Sequence, residues 1–577
     1  MSGVSPLAQA IRAFVSPGMH LHFSSTPSRS NAAIREVARC FRRKNPEFLL
    51  SASGFHSLAH LLVRLGLGRS HLACFFGDNY PVPRPNALYQ GLAGGLGRTL
   101  HVLSLLSYVE ALRAGAMGQP FALNRSLLGT DMGRELERAG YLTTLGAANA
   151  GSAEGMNLGL LKAIRPDVTF VHALLGDERG NVVVCAPTSE GFWAANGAKR
   201  GVIVTVERVV SSAEVLRFKD AMPIARHQVL AVCEAPGGAH PQALFADPRF
   251  GVAGYEDDFE HYLLWRRLAT DDALFAHFEK LVLDAPDGEA GYAEFLCVVA
   301  AGGFRAKART PLAANSGHVA NDSEPQDALF VSAARAICRK VKEQGYELII
   351  AGIGGSFYAA RLAKLWLERE GIDVDVIVET GLIGLECGPE GDDFLLSHRN
   401  MARSERLSNV EDALGVLCSG SKRCLGVIGA AEVDATGAIN STRSPSGQFL
   451  VGSGGANDIA AAAAEVIVTV RCDPQRMVDA VGYTTSSGQR VSEVVTELAT
   501  FSRANASAPW VLSSIFPRAD GRPLADAVSA VRGLCPWPCS VEASELARPI
   551  SRQERQDLEA IRARPRNARS SAAVGQA

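Results

Sequence analysis

The chain contains one unit twice. Residues 19–24 form a short apolar stretch after Pro17 and Gly18, followed by a Ser/Thr/Pro loop at 24–30, a helical pattern to about Phe41 and a second apolar run at 47–54. The same order returns at 346–351, with a Gly-rich loop at 352–356, a helical pattern to about Glu368 and a run at 373–381. Both read strand, tight loop, helix, strand. Gly381 follows Gly54 at an offset of 327, and that offset carries Phe23 onto Ile350. Further along, D-x-x-G turns at 177–180 and 434–437 each precede the pentapeptide VIVTV, at 202–206 and 466–470. Unbroken β-branched runs are what strands buried on both faces of a parallel sheet require. A repeat of this kind fixes the architecture before any motif is considered.

The expected fold is therefore α/β, with two tandem homologous open domains and largely parallel sheets. Residues 302–326 are rich in Ala, Gly, Asn, Ser and Pro without apolar periodicity, which predicts domains at 1–302 and 328–577 joined by a linker at 303–327. The copies differ in one respect. From Asp177 to Val202 is 25 positions and from Asp434 to Val466 is 32, an excess of seven that matches the length of the loop at 452–458. A loop present in one copy alone is a candidate for function.

Composition narrows the partners. The 577 residues carry 58 Lys and Arg against 60 Asp and Glu, a net charge of −2, so no field draws the protein to nucleic acid or an anionic membrane surface. Small molecules are expected instead. The 12 Cys show no paired metal-ligand spacing and are too sparse for a disulfide scaffold, which points to a reducing compartment. Cys535 and Cys539 bracket Pro-Trp-Pro and read as a loop. Residues 1–18 lack an unbroken apolar segment of the secretory kind, and the longest aliphatic stretch, 459–470, is interrupted by Glu465. The expectation is a cytoplasmic protein with no metal site.

Open α/β sheets bind ligands outside the carboxyl ends of their strands. Glu379 stands at such a place, after the strand pattern of 374–378 and before the Thr380-Gly381 turn, and its counterpart in the first copy is Ala52. The fold does not require an acid there. The glycine loop at 452–458 follows another strand and precedes an Ala-rich helix pattern at 459–465; its backbone N–H groups suit an oxyanion or phosphate, or the loop is a tight turn with Asn457 or Asp458 as N-cap. Gly352-Ile353-Gly354-Gly355-Ser356 lacks the third glycine of a dinucleotide fingerprint, Phe357 standing there, so NAD is not favoured. His240, in Gly-Gly-Ala-His-Pro, reads as loop packing or catalysis. Glu386 and Cys387 lie close enough to Glu379 in sequence to reach the same cleft.

These stretches resemble family I CoA-transferases, with the likeness nearest to glutaconate CoA-transferase. The second half is similar to the β subunit through 376–383 (VIVETGLI), 428–442 (IGAAEVDATGAINST), 449–460 (FLVGSGGANDIA) and 483–488 (YTTSSG). The first half is similar to the α subunit through 115–121 (GAMGQPF), 126–131 (SLLGTD), 167–181 and 235–241 (APGGAHP). The resemblance implies fused α and β subunits with the active site at their interface. It implies Glu379 as the nucleophile, and Gly452, Gly454, Gly455 and Ala456 as the loop that holds the thioester oxyanion and CoA. Ser104 and Ser25 are implied contacts of the acid substrate. Coenzyme A then serves as a substrate, with no tightly bound cofactor, and a homodimer is expected.

The implied reaction moves CoA from an acyl-CoA to a free carboxylic acid by ping-pong steps through a glutamyl anhydride and a glutamyl-CoA thioester. One departure stands out. The family's α subunit has a glycine-rich loop after its first strand, where this chain has Ser24-Ser25-Thr26-Pro27-Ser28. Pro and the lack of Gly deny that loop the same conformations. A thioester hydrolase, a C–C hydrolase or a decarboxylase on the same scaffold therefore stays open, as does a non-catalytic acyl-CoA-binding protein.

Overall fold

The computed structural model describes residues 3–25, 29–93, 99–146, 157–301, 323–388, 391–420, 423–516, 524–541 and 545–562. In the first half, β1 (His20–Phe23), β2 (Phe48–Ser51), β3 (Gly68–Ala73), β4 (Thr99–Val102), β5 (Val168–Gly176), β6 (Gly201–Val209) and β7 (Val229–Glu234) form a sheet in the order β7-β6-β5-β1-β2-β3-β4. Neighbours along this path are parallel. In the second half, β8 (Leu348–Ala351), β9 (Asp375–Ile377), β10 (Cys424–Gly429), β11 (Glu465–Thr469), β12 (Val491–Val495), β13 (Ala499–Ser502) and β14 (Trp510–Ile515) follow the order β9-β8-β10-β11-β12-β13-β14. This sheet is parallel as far as β12 and antiparallel beyond it.

The repeat seen in the sequence is a repeat of topology. The run β7-β6-β5-β1-β2 in one sheet has the same order as β12-β11-β10-β8-β9 in the other. Both VIVTV segments are buried throughout. Both also break register against the next strand at the same point, between Val202 and Ile203 and between Val466 and Ile467. The D-x-x-G turns match atom for atom: Asp177 Oδ1 accepts the N–H groups of Arg179 and Asn181 at 3.0 and 2.8 Å, and Asp434 Oδ1 those of Thr436 and Ala438 at 2.9 and 3.1 Å. Gly180 and Gly437 hold φ of 83° and 81°, a left-handed conformation that a Cβ disfavours.

The helices that frame the cleft are α1 (Asn31–Phe41), α2 (Leu105–Ala116), α3 (Ser323–Gln344), α4 (Gly355–Arg369) and α5 (Ala456–Ala462). Helix α3 takes in the last residues of the stretch read as a linker, whose part up to residue 322 lies outside the described residues. The Gly-rich segment before α4 serves packing: a Cβ on Gly355 would stand 2.8 Å from the Phe330 ring of α3. Among the described residues no helix is long and apolar enough to cross a membrane.

The two halves share their cores. Phe449 and Tyr483 of the second half pack in the first half's apolar cluster, and Cys74, Leu105 and Val109 of the first half pack in the second's. Polar ties cross the same seam. Gln90 exchanges two hydrogen bonds with the Phe449 backbone, and Glu135 accepts from Arg443 and from the Tyr483 hydroxyl at 3.1 Å each.

Candidate functional site

At the carboxyl end of β9 the chain reverses at once: the Val378 N–H bonds the Leu382 carbonyl at 2.8 Å, and the Gly381 N–H bonds the Val378 carbonyl at 2.9 Å. Gly381 holds φ of 103°, and a Cβ there would lie 2.6 Å from the Ser408 and Asn409 backbone. So tight a turn leaves Glu379 and Thr380 at the strand end, where both line a cavity of about 560 Å³. Its walls come from both halves, with Phe75, Phe245, Phe394, Leu396 and Leu450 among the apolar ones.

Glu379 Oε2 accepts the Gly455 N–H at 2.9 Å. Burial pushes the carboxyl up to about 7; the Gly455 N–H pulls it back down, and the negative charge of Asp458 adds to the rise. A carboxylate so placed is poorly solvated and titrates near neutrality. Its first-half counterpart, Ala52, is buried and apolar.

The glycine loop meets this carboxylate closely. A Cβ on Gly455 would stand 2.3 Å from Glu379 Oε2, and one on Gly452 would stand 2.9 Å from the Cys74 carbonyl. Gly452 and Gly454 both have positive φ, 99° and 51°. The loop is held by first-half backbone: the Gly454 N–H donates to Cys74 O at 3.0 Å, Leu105 N–H to Gly454 O at 2.9 Å, and Phe76 N–H to Val451 O at 2.8 Å. The four loop positions expected to act together therefore separate. The Gly454 N–H is occupied by Cys74, the Ala456 N–H by Ser453 O at 3.0 Å, and the Gly452 N–H reaches Ser441 O at 3.3 Å. Gly455 is the position whose donor meets the carboxylate.

The N-cap reading of this loop is corrected. Helix α5 covers Ala456–Ala462, not 459–465; Gly455 is its N-cap without a side-chain bond, and Glu465 opens β11. Asp458 instead reaches across the seam, where its carboxylate accepts from the Ser104 hydroxyl at 2.6 Å, the Ser126 hydroxyl at 2.9 Å and the Leu106 N–H at 2.9 Å. Burial still outweighs these donors and pushes Asp458 up to about 6. Sequence reasoning saw Asp458 as local capping because spacing along one helix carries no information about the opposite half.

Ser104 is thus fully buried and committed to Asp458, and it is not among the residues lining the cavity. Ser25 does line it, with its N–H and hydroxyl both directed at Glu190 Oε1, at 2.7 and 3.0 Å. Residues 26–28 of the departing loop lie outside the described residues. Glu386 and Cys387 do not reach the cleft: Glu386 pairs with Arg403 at 2.7 Å, and Cys387 is buried in the α4 core cluster. His240 lies outside the lining too, bonded to the Tyr292 hydroxyl at 2.8 Å and facing Asp258, which also engages His261 at 2.7 Å. Cys535 is buried beside Trp537 in the second core and Cys539 half-buried, away from the cavity.

A polar group on the first-half wall went unnoticed. Arg29, 4% exposed, donates to Gly54 O at 3.2 and 3.3 Å and to His56 Nε2, which also faces the Asn79 amide at 3.3 Å. Two donors on Nε2 place the imidazole proton on Nδ1. Burial pushes Arg29 down to about 10 and, with the Arg29 charge beside it, drives His56 well below its usual value, so the ring is neutral. A single Arg in a Ser/Pro loop gives no pattern from which to foresee this.

The sequence model of the family described as Coenzyme A transferase matches residues 4–227. One of the two subunits of 3-oxoadipate CoA-transferase from Pseudomonas knackmussii is 30% identical over 245 residues, 42% of this chain and 79% of the relative. The IpdA subunit of the cholesterol ring-cleaving hydrolase of Mycobacterium tuberculosis is 31% identical over 134 residues, 22% of this chain and 44% of that relative. In fold, the chain is similar to the acyl-CoA transferase YdiF of E. coli O157:H7, solved as a thioester complex with CoA, at a TM-score of 0.65 and 15% identity over 97% of each chain.

Proposed function

The chain belongs to the Coenzyme A transferase family, and we propose that it moves CoA between an acyl-CoA and a free carboxylic acid with Glu379 as the nucleophile. The observation that carries this reading is the pairing of Glu379 with the Gly455 N–H inside a cavity built by both halves. On this reading residues 1–302 and 328–577 are two domains that form opposite walls of one site.

The carboxylate of Glu379 attacks the thioester carbonyl, and the CoA thiolate leaves; a mixed glutamyl anhydride remains. The thiolate then attacks the glutamyl carbonyl and expels the first acid as a carboxylate, giving a glutamyl-CoA thioester. An incoming acid reverses both steps and departs as the new acyl-CoA. Each intermediate is an activated acyl group, so no step has to cross a large thermodynamic gap. When thiolate attacks the glutamyl carbonyl, negative charge develops on the oxygen that Gly455 already contacts. One well-placed donor of this kind contributes about 3 kcal/mol in comparable acyl transfers. The raised pKa supports the same role, because a desolvated carboxylate is a better nucleophile than a hydrated one.

Incubation with acetyl-CoA followed by borohydride reduction tests the proposal, since a glutamyl thioester is reduced and the mass of the Glu379 peptide changes. An unaltered peptide in a protein that turns over would overturn it. Release of CoA without an acceptor acid would point to a thioester hydrolase. The homodimer expected for fused subunits is checked by light scattering of the purified chain.

A further inference from the structure

Arg29 is a buried cation without a buried counter-ion. Among the described residues no carboxylate forms an ion pair with it; its bonds go to the Gly54 carbonyl and to the neutral ring of His56. Glu190 acts on it through space, but Glu190 Oε1 already accepts two bonds from Ser25. Removing a guanidinium from water is costly unless an anion meets it in the same place. The group also lines the cavity that holds Glu379, and the thiol of Cys74, a strand-end neighbour, lies within electrostatic reach of both.

The surroundings suit a planar anion. His56 and Asn79 stand beside Arg29 on the lining, and His56 Nδ1, which carries the ring's proton, is buried without a partner. A guanidinium presents paired donors that match a carboxylate. Between this polar group and Glu379 the cavity wall is largely apolar, as a hydrocarbon spacer requires.

We propose that Arg29, with His56 and Asn79, receives the far carboxylate of a dicarboxylic acid whose near carboxylate is activated at Glu379. This rests on the transferase reading for the near carboxylate only. A carboxylate is preferred over a phosphate of CoA because Arg29 is a lone guanidinium, nearly sealed from solvent, whereas CoA phosphates carry more charge and stay hydrated.

The test is calorimetric binding to the Glu379→Gln protein, in which no turnover occurs. Glutarate is compared with pentanoate and adipate with hexanoate, and CoA is titrated separately. The diacid of at least one pair should bind ten-fold or more tightly than its partner, Arg29→Gln should bring that ratio close to one, and Arg29→Lys should restore part of it. CoA affinity should stay within two-fold. A ratio near one in the protein with Arg29 intact, a ratio that survives Arg29→Gln, or a selective loss of CoA affinity would each overturn the proposal. Because binding is read without catalysis, these outcomes are separate from failure of the glutamyl-thioester experiment. If Arg29→Gln does not fold, the intact-protein ratio and Arg29→Lys still decide.

Discussion

The Gly455 N–H lies 2.9 Å from Glu379 Oε2, and a methyl group on the Gly455 α-carbon would lie 2.3 Å from that same oxygen. The contact therefore requires both an amide donor and the absence of a side chain. Gly455→Ala should drive the carboxylate off its donor and lower kcat by 10²- to 10³-fold, the range seen when an oxyanion donor is lost. Thermal unfolding should change little, because the flexible end of Glu379 can move aside. Unaltered kcat in a folded variant would show that the contact has no catalytic part.

Replacing the nucleophile should be more severe. Glu379→Gln keeps the shape and removes the attacking oxygen, so transfer should fall by at least about 10³-fold. The borohydride-dependent mass change should vanish with it. Residual turnover above a few percent would mean that another group attacks the thioester.

The titration of Glu379 sets a pH dependence of definite sign. The attacking form is the carboxylate and its pKa is raised to about 7, so kcat/KM should climb as pH increases from 5 to 7 and level off above. Stability should run the other way. A raised folded pKa means that the folded protein holds its proton more tightly than the unfolded chain, so the penalty is absent below the ordinary glutamate value near 4.5 and complete above about 7. Glu379→Gln should therefore be the more stable protein at pH 8, by ~1–3 kcal/mol, and equal to the parent at pH 4. Denaturant titrations at the two pH values measure this.

Asp458 couples the seam to the nucleophile. Its charge is one of the causes that raise Glu379, and its oxygens hold Ser104, Ser126 and the Leu106 N–H. Asp458→Asn should move the acid limb of the kcat/KM profile to lower pH. It should also destabilise the protein by ~1–3 kcal/mol through buried donors left badly matched. An unmoved limb would disconnect the two carboxyls.

The repeat was legible because it is written in patterns that depend on nearest neighbours. A pentapeptide of β-branched residues has to be a buried strand, and an Asp three residues before a Gly has to be the same turn in both copies. The strand-end acid was legible for a related reason, since Ala52 shows what the fold needs there. What the sequence could not convey is contact across the seam. Asp458 looks like a capping residue, Ser104 like a surface hydroxyl and Arg29 like a loop cation, and each takes its meaning from a residue in the other half or on the far wall of the cavity. Glu386 and Cys387 failed as candidates because proximity in sequence was cancelled by the reversal after β9, which carries the chain away from the cleft.

The backbone ties from Cys74, Phe76 and Leu105 to the glycine loop place half of the oxyanion machinery's support on the opposite domain. Two separate polypeptides would form that arrangement only as fast, and only as completely, as they collide. Within one chain the encounter becomes intramolecular, at an effective concentration in the millimolar range for a flexible tether. Dilution then has no hold on whether the catalytic loop is correctly shaped, and the two halves are always made in equal number.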